Sequence, residues 1–355
     1  MPSRSVQRDL ALLRLVAQGV VGSRRAAPAV AVQRLLCLQA QDYRSGLASL
    51  LARGAAGVAE VEATFDAGTV VRAWPLRGTL HLVGANDLGW LRQLLAPREL
   101  AAAAAREARL GITTRLLDQA EHVAVELLSG SGPSSRAELT AAWQARGIDT
   151  ADQRGYHLIW HLTQTGTLCF GPVRKGQQLL VLADRWIPAS AVPARGDALG
   201  TVARRYFDSH GPATSADLAR WANLTVADTQ AAVDAARPHL ATITVDGVDY
   251  LLGPTTQDEL ATCRKEAAGV VVLPGFDELL FGYRDRTPTL PDDRAAAVFP
   301  HANGSPSPTV LVGGQVVATW KRPAKRSTGA VEITPLVPIS PSVKRAAEAK
   351  ASAVA

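Results

Sequence analysis

Two glutamines, Gln39 and Gln41, stand in the run Leu-Gln-Ala-Gln-Asp, just after an apolar helical pattern of Val32, Leu35, Leu36 and Leu38. Two residues apart on an α-helix is a rotation of about 200°, so helical Gln39 and Gln41 would point in nearly opposite directions. They share a face only where the backbone is extended or irregular. Two long amides on one face could hold a water molecule or the polar edge of a ligand. The plain alternative is a pair of polar residues at a helix end. Asp42 adds a carboxylate that could help to place a water.

Other constellations carry less chemistry. His157 and His161 share a helix face at i, i+4, but a metal pair needs a third ligand and a nearby carboxylate, and no HExxH context exists. Core packing or a groove contact is the expected role, and no metal site is assigned. Asp277 and Glu278 are adjacent, which on a strand sends them to opposite sides. Together with Asp285 they read as structural salt-bridge partners of Arg284 or Arg286. No GxGxxG follows a strand, and neither GxxxxGK[ST] nor GxSxG occurs, so no cofactor is expected. Arg77, Thr79 and His81 alternate with Leu80 and Leu82, which sets a polar face on one strand of a hairpin, either solvated or meeting a polar partner.

These residues need a scaffold. A chain of 355 residues is more than one core's worth, and 47% hydrophobic with 20% charged residues fits a globular protein. No apolar run is long enough to span a bilayer and no signal peptide is evident, so no membrane partner is expected. Cys37, Cys169 and Cys263 are far apart and odd in number, which points to a reducing, cytoplasmic compartment. A net charge of +6 favours an acidic partner. Residues 318–355 hold seven Lys/Arg against two Glu, and Lys321, Arg322, Lys325 and Arg326 form a candidate phosphate-contacting patch. Lysine is scarce: there are six, none before Lys175.

Three segments repeat one grammar of helices followed by a strand pair, which makes this an α+β chain of three tandem winged-helix modules with a β-rich C-terminal region. Residues 1–95 form the first module, with a hairpin of Val70–Trp74 and Arg77–Val83 punctuated by Gly78. Residues 96–133 are a helical connector. Residues 134–195 form the second, opened by a helix cap at Ser134 or Ser135, with Glu138 placed for a capping box from Ser135, and carrying a basic turn with Arg174 and Lys175. Residues 196–265 form the third, with helix caps at Thr214 or Ser215 and at Thr225, and an Asp246-Gly247 hairpin turn. Residues 266–340 are β-rich over Val270–Leu273, Leu279–Gly282, Val310–Val312, Val316–Trp320 and Val331–Val337, with a loop over Asp292–Pro308. Residues 341–355 are a tail. Modules of this kind commonly place a helix in the major groove, and Arg174 and Lys175 at a wing tip favour DNA over a protein partner.

The stretches LCLQAQDYRSGLASLLARG, WPLRGTLHLV, LPGFDELLFGYRDR and VGGQVVATWKR, in this order, resemble the bacterial winged helix DNA-binding domain-containing proteins, over about residues 8–325. That family includes the AlkZ-type alkylpurine DNA glycosylases that confer azinomycin resistance, and related enzymes that unhook interstrand crosslinks. The resemblance implies a catalytic Gln-x-Gln at Gln39 and Gln41, with Ala40 where an aliphatic residue is common. It also matches the Arg77–Val83 hairpin to the family's DNA-inserting hairpin.

The chemistry agrees. An N7-alkylated guanine carries positive charge and is already a good leaving group, so its enzyme must position a water and stabilise an oxocarbenium-like sugar. Neutral glutamine carbonyls serve as acceptors and local dipoles. A bifunctional glycosylase forms a Schiff base through an amine, and the first module has no lysine. The expected activity is therefore monofunctional hydrolysis of cationic N7-alkylpurines, including crosslinks, leaving an abasic site in double-stranded DNA. Gln39 and Gln41 orient the water; Arg77, Thr79 and His81 contact DNA near the lesion; Arg174, Lys175, Lys321, Arg322, Lys325 and Arg326 hold phosphates. A nucleoid-associated monomer is expected. The rival is a non-catalytic winged-helix DNA-binding regulator. Base flipping against an open site, and self-resistance against general repair, stay open.

Overall fold

The computed structural model describes residues 4–300, 304–322 and 331–354. Its elements are a mixture of helices and antiparallel sheets. The chain divides into two compact units, residues 1–58 with 199–355 and residues 59–198. The stretch 1–95, expected as one module, is shared between them.

In the first unit, the strand Val270–Leu273 pairs with Thr309–Val312, which pairs with Gln315–Lys321, which pairs with Glu332–Pro335, all antiparallel. Strand side chains alternate, and both faces of this sheet are apolar. Val271, Leu273 and Leu311 join a core with Leu12, Leu15 and Val16 of the helix Arg4–Ala17. Val272, Val310 and Trp320 join a second core with Ala347 and Ala351. Those alanines belong to the helix Pro341–Val354. The segment read as a tail is thus a packed element, because two small residues at i, i+4 let a helix approach the sheet closely.

Two further expectations in this region fail. Leu279–Gly282 is not a strand: Glu278–Phe281 form one helical turn, and the Asp277 side chain caps it by accepting from Leu279 N at 2.9 Å. Residues Asp292–Val298 form a helix rather than a loop. Two aspartates open it, three alanines follow, and Val298 is buried. The helices Ser215–Ala222 and Val226–Ala236 start at Thr214 and Thr225, whose hydroxyls accept from Asp217 N and Asp228 N. They lead to the hairpin Ala241–Val245 and Val248–Leu252, whose Asp246 and Gly247 have φ of 51° and 77°. Those values are what a two-residue turn between right-twisted strands requires.

In the second unit the hairpin Val70–Leu76 with Thr79–Gly84 and the hairpin Leu168–Arg174 with Gln177–Leu182 pair side by side through Arg72 and Phe170. The helices Ala85–Arg109 and Thr114–Ser131 fill the expected connector. They are more than that, since Leu110, Ala120, Val123, Ala124 and Leu128 share a core with Trp143, Leu158 and Phe170. The helix Arg136–Ala145 begins with the expected capping box: Glu138 N donates to Ser135 Oγ at 3.1 Å and Ser135 N to Glu138 Oε2 at 2.6 Å. Among the described residues no helix is long and apolar enough to cross a membrane.

Candidate active site

The glutamine pair lies where a helix is forced to stop. The helix Pro28–Leu35 ends at Leu36, whose φ of 64° and ψ of −52° leave the right-handed helical region. Cys37–Gln39 are then a short strand, and Ala40 and Gln41 carry the chain to Asp42. Asp42 caps the next helix, Tyr43–Ala52, by accepting from Ser45 N at 2.8 Å and Ser45 Oγ at 2.7 Å. The backbone at the pair is therefore not helical, the condition under which the two amides can share a face. Asp42 is occupied as a helix cap.

The two amides are not equally open. Gln41 is exposed, whereas Gln39 is 2% exposed. An arrangement with both amides on an accessible groove is not what the free chain presents, and this counts against treating them as interchangeable.

Beneath Gln39 lies a buried polar layer that the sequence reading did not find. Gln39 N donates to Glu278 Oε2 at 2.9 Å. Glu278 Oε1 accepts from Trp221 Nε1 at 2.6 Å and lies 3.3 Å from His210 Nε2. Asp277 takes a two-pronged contact from Arg53, with Nη1 to Oδ2 at 2.7 Å and Nη2 to Oδ1 at 2.9 Å, and accepts from Ser49 Oγ at 2.7 Å. Asp277, Glu278, Arg53, His210 and Ser49 are all fully buried. The expected salt bridges from Asp277 and Glu278 to Arg284 or Arg286 are thus replaced. Arg284 N and Asp285 N donate to Asp217 Oδ1, and the Arg286 guanidinium lies 4.9 Å from the Phe299 ring centroid. Burial alone would lower the Arg53 guanidinium, but the Asp277 contact raises it above its ordinary value, so the guanidinium stays charged. Gly282 belongs to the same layer: a Cβ there would stand 2.7 Å from His210 Cδ2.

Burial holds the His210 imidazole below its ordinary range, against the pull of Glu278. The folded protein keeps it neutral, while the unfolded chain takes up a proton as pH falls through about 6.5. Its stabilising contribution is complete above that pH and drains away as pH drops towards the depressed folded value. The urea midpoint is expected to fall between pH 7.5 and 5.5, and to fall less in His210→Gln. Equal falls in the two proteins would remove His210 as the cause.

The remaining expected contacts are scattered. Arg174 and Lys175 are exposed at the tip of their hairpin, Lys175 at φ 51°. Lys321 is exposed. Arg322 is half-buried, donates to Val354 O at 3.2 Å, and is lowered by burial and by the neighbouring Arg44, with Asp42 acting the other way. Arg322 therefore sits in the electrostatic reach of the loop that carries Gln41, and exposed Arg44 is a basic group there that sequence reasoning missed. Lys325 and Arg326 lie outside the described residues. Arg77 and Thr79 are half-buried at the hairpin turn, but His81 is fully buried. Its Nδ1 is 2.8 Å from Thr79 O and its Nε2 is 3.4 Å from Arg77 Nη2. The expectation that His81 lies on an outward polar face fails, because its ring is used to hold the turn. His161 Nδ1 lies 2.8 Å from Glu107 Oε1.

A family model of AlkZ-like DNA glycosylases matches residues 32–355, a span that includes Gln39, Gln41, Ser49, Arg53, His210, Trp221, Asp277 and Glu278. The chain belongs to the AlkZ-like DNA glycosylase family. It is therefore a DNA glycosylase, and the reading as a non-catalytic regulator is set aside. An interstrand DNA cross-link repair glycosylase of Streptomyces sahachiroi is 25% identical over 272 residues, which span 71% of this chain and 70% of the relative. The solved structure of the Streptomyces sahachiroi DNA glycosylase AlkZ aligns with a TM-score of 0.78 over 98% of this chain and 95% of that chain. At 23% identity that is a likeness of fold.

Proposed function

We propose that this glycosylase is monofunctional and hydrolyses the N-glycosidic bond of cationic N7-alkylpurines in double-stranded DNA, unhooking interstrand crosslinks and leaving an abasic site. The observation that carries the reading is a Gln-Ala-Gln run on non-helical backbone inside the family-matched span. Neutral amides cannot protonate a leaving base, so the substrate must bring its own positive charge. Gln39 and Gln41 orient the attacking water and turn carbonyl dipoles towards the developing oxocarbenium. Gln41, the exposed member, meets the DNA first. Arg44 and Arg322 supply positive charge near that loop, and Arg174, Lys175 and Lys321 are exposed cations for phosphates elsewhere.

The helix-then-hairpin order over 134–195 and 196–265 supports the reading of winged-helix modules there, while the first, 1–95, is shared between the two units; the enzyme acts on DNA as a monomer in the cytoplasm. The crosslink relative supports the choice of lesion. The test is base release from duplexes carrying N7-methylguanine or a nitrogen-mustard crosslink. Free 7-methylguanine is expected from the first duplex, and from the second two separable strands, one abasic and one carrying the unhooked bis-guanine adduct; strands stay intact until alkali, and borohydride traps no covalent adduct. No release by the wild type from any alkylated duplex would sink the reading. A trapped adduct would overturn the monofunctional part alone.

A further inference from the structure

Glu278 is separated from Gln39 by 239 residues, yet its carboxylate accepts the Gln39 main-chain N–H. We propose that Glu278 is a positioning residue for Gln39, and that Asp277 and Glu278 together bracket the Gln39–Gln41 segment. The proposal rests on the catalytic reading of Gln39.

The geometry of the bracket is specific. Cys37–Gln39 are a strand of only three residues, between the irregular Leu36 and the Asp42 cap. Glu278 Oε2 fixes its Gln39 end. The other oxygen, Oε1, is held by the Trp221 indole at 2.6 Å and faces the His210 ring, so the carboxylate cannot rotate freely. Asp277 secures the far end. It holds Ser49 and Arg53, the first on the helix Tyr43–Ala52 that follows Gln41 and the second at its C-terminal cap. Two adjacent acidic side chains thus anchor the chain on both sides of the glutamines. Asp277 is committed to an ion pair with Arg53, whereas Glu278 accepts from the Gln39 main chain and the Trp221 indole. A main-chain anchor acts on rate because a shift of about 1 Å in a reacting group costs about 10²-fold.

A double-mutant cycle separates positioning from general support. Single-turnover release of 7-methylguanine and duplex affinity are measured for wild type, Glu278→Ala, Gln39→Ala and the double variant. Glu278→Ala is expected to slow release by about 10–10²-fold with affinity changed by less than about threefold, an effect on rate alone. In the Gln39→Ala background the same change is expected to have almost no effect, because the group it positions is gone. Glu278→Gln keeps one acceptor but turns an amide N–H₂ towards a donor, and is expected to fall between wild type and Glu278→Ala. Trp221→Phe removes the 2.6 Å donor, keeps the aromatic volume and carries the same cycle if Glu278→Ala does not fold.

Equal losses from Glu278→Ala or Trp221→Phe in both backgrounds would make Glu278 a structural residue and overturn the proposal. Wild-type rates in all the Glu278 and Trp221 variants would overturn it too. An inactive wild type, or a fully active Gln39→Ala, instead removes the reading on which the bracket rests.

Discussion

Replacing Gln39 and Gln41 together by alanine is expected to lower the single-turnover rate of base release by about 10²–10³-fold and to leave duplex affinity nearly unchanged. The magnitude is that of removing one pre-aimed dipole from a charge that develops only in the transition state. Both amides would act on one water, so each single change should take most of the loss and the double variant little more. Their different exposure sharpens the test. Gln41 is open and Gln39 is 2% exposed, so Gln41→Ala should fold like wild type, while Gln39→Ala also removes a buried side chain. Comparing urea midpoints alongside rates separates the two effects. Wild-type release by the folded double variant would move the active centre elsewhere in this glycosylase.

Arg53→Ala is expected to destabilise the protein by about 3–5 kcal/mol, the cost of leaving a buried charge without its partner. Arg53 and Asp277 are both fully buried, and every Arg53 donor is used: Nε to Gln18 O, Nη1 to Ser49 O and Asp277 Oδ2, Nη2 to Gln18 Oε1 and Asp277 Oδ1. Removing Arg53 strands the Asp277 carboxylate together with the acceptors on Gln18 and Ser49. Arg53→Lys cannot reproduce the planar two-pronged contact and should recover only part of the stability. A change of both partners to apolar residues should recover part as well, because it removes the unpaired charge but leaves Gln18, Ser49 and Leu279 N short of partners. Chemical denaturation measures all three. A loss below about 1 kcal/mol for Arg53→Ala, the size of an exposed ion pair, would show that the layer does not hold this unit together.

Local chemistry was legible at several places where it acts within a few residues. The Ser135–Glu138 capping box, the caps at Thr214 and Thr225, and the Asp246-Gly247 turn form as their spacing requires. Each is a short-range hydrogen-bond or φ preference. Misreadings came where an apolar run had to be assigned a period. Leu279–Gly282 has the apolar character of a strand but follows an aspartate able to cap a helical turn, and the cap prevails. Residues 341–355 look like a charged tail, because Ala347 and Ala351 reveal a packing face only when a sheet is there to receive them.

The sequence by itself determined that a Gln-x-Gln run stands in a chain with no early lysine. It also carried the resemblance to the AlkZ-like family, and from that came the class of enzyme. Residue identity and short spacing suffice for that. Only the tertiary structure decided that Gln39 is buried while Gln41 is open, that His81 holds a turn rather than facing outward, and that Asp277 and Glu278 reach Arg53 and the Gln39 main chain. The contacts of Asp277 and Glu278 join residues more than two hundred positions apart. Which partner a buried carboxylate finds depends on how segments distant in sequence pack around it, and no local pattern encodes that.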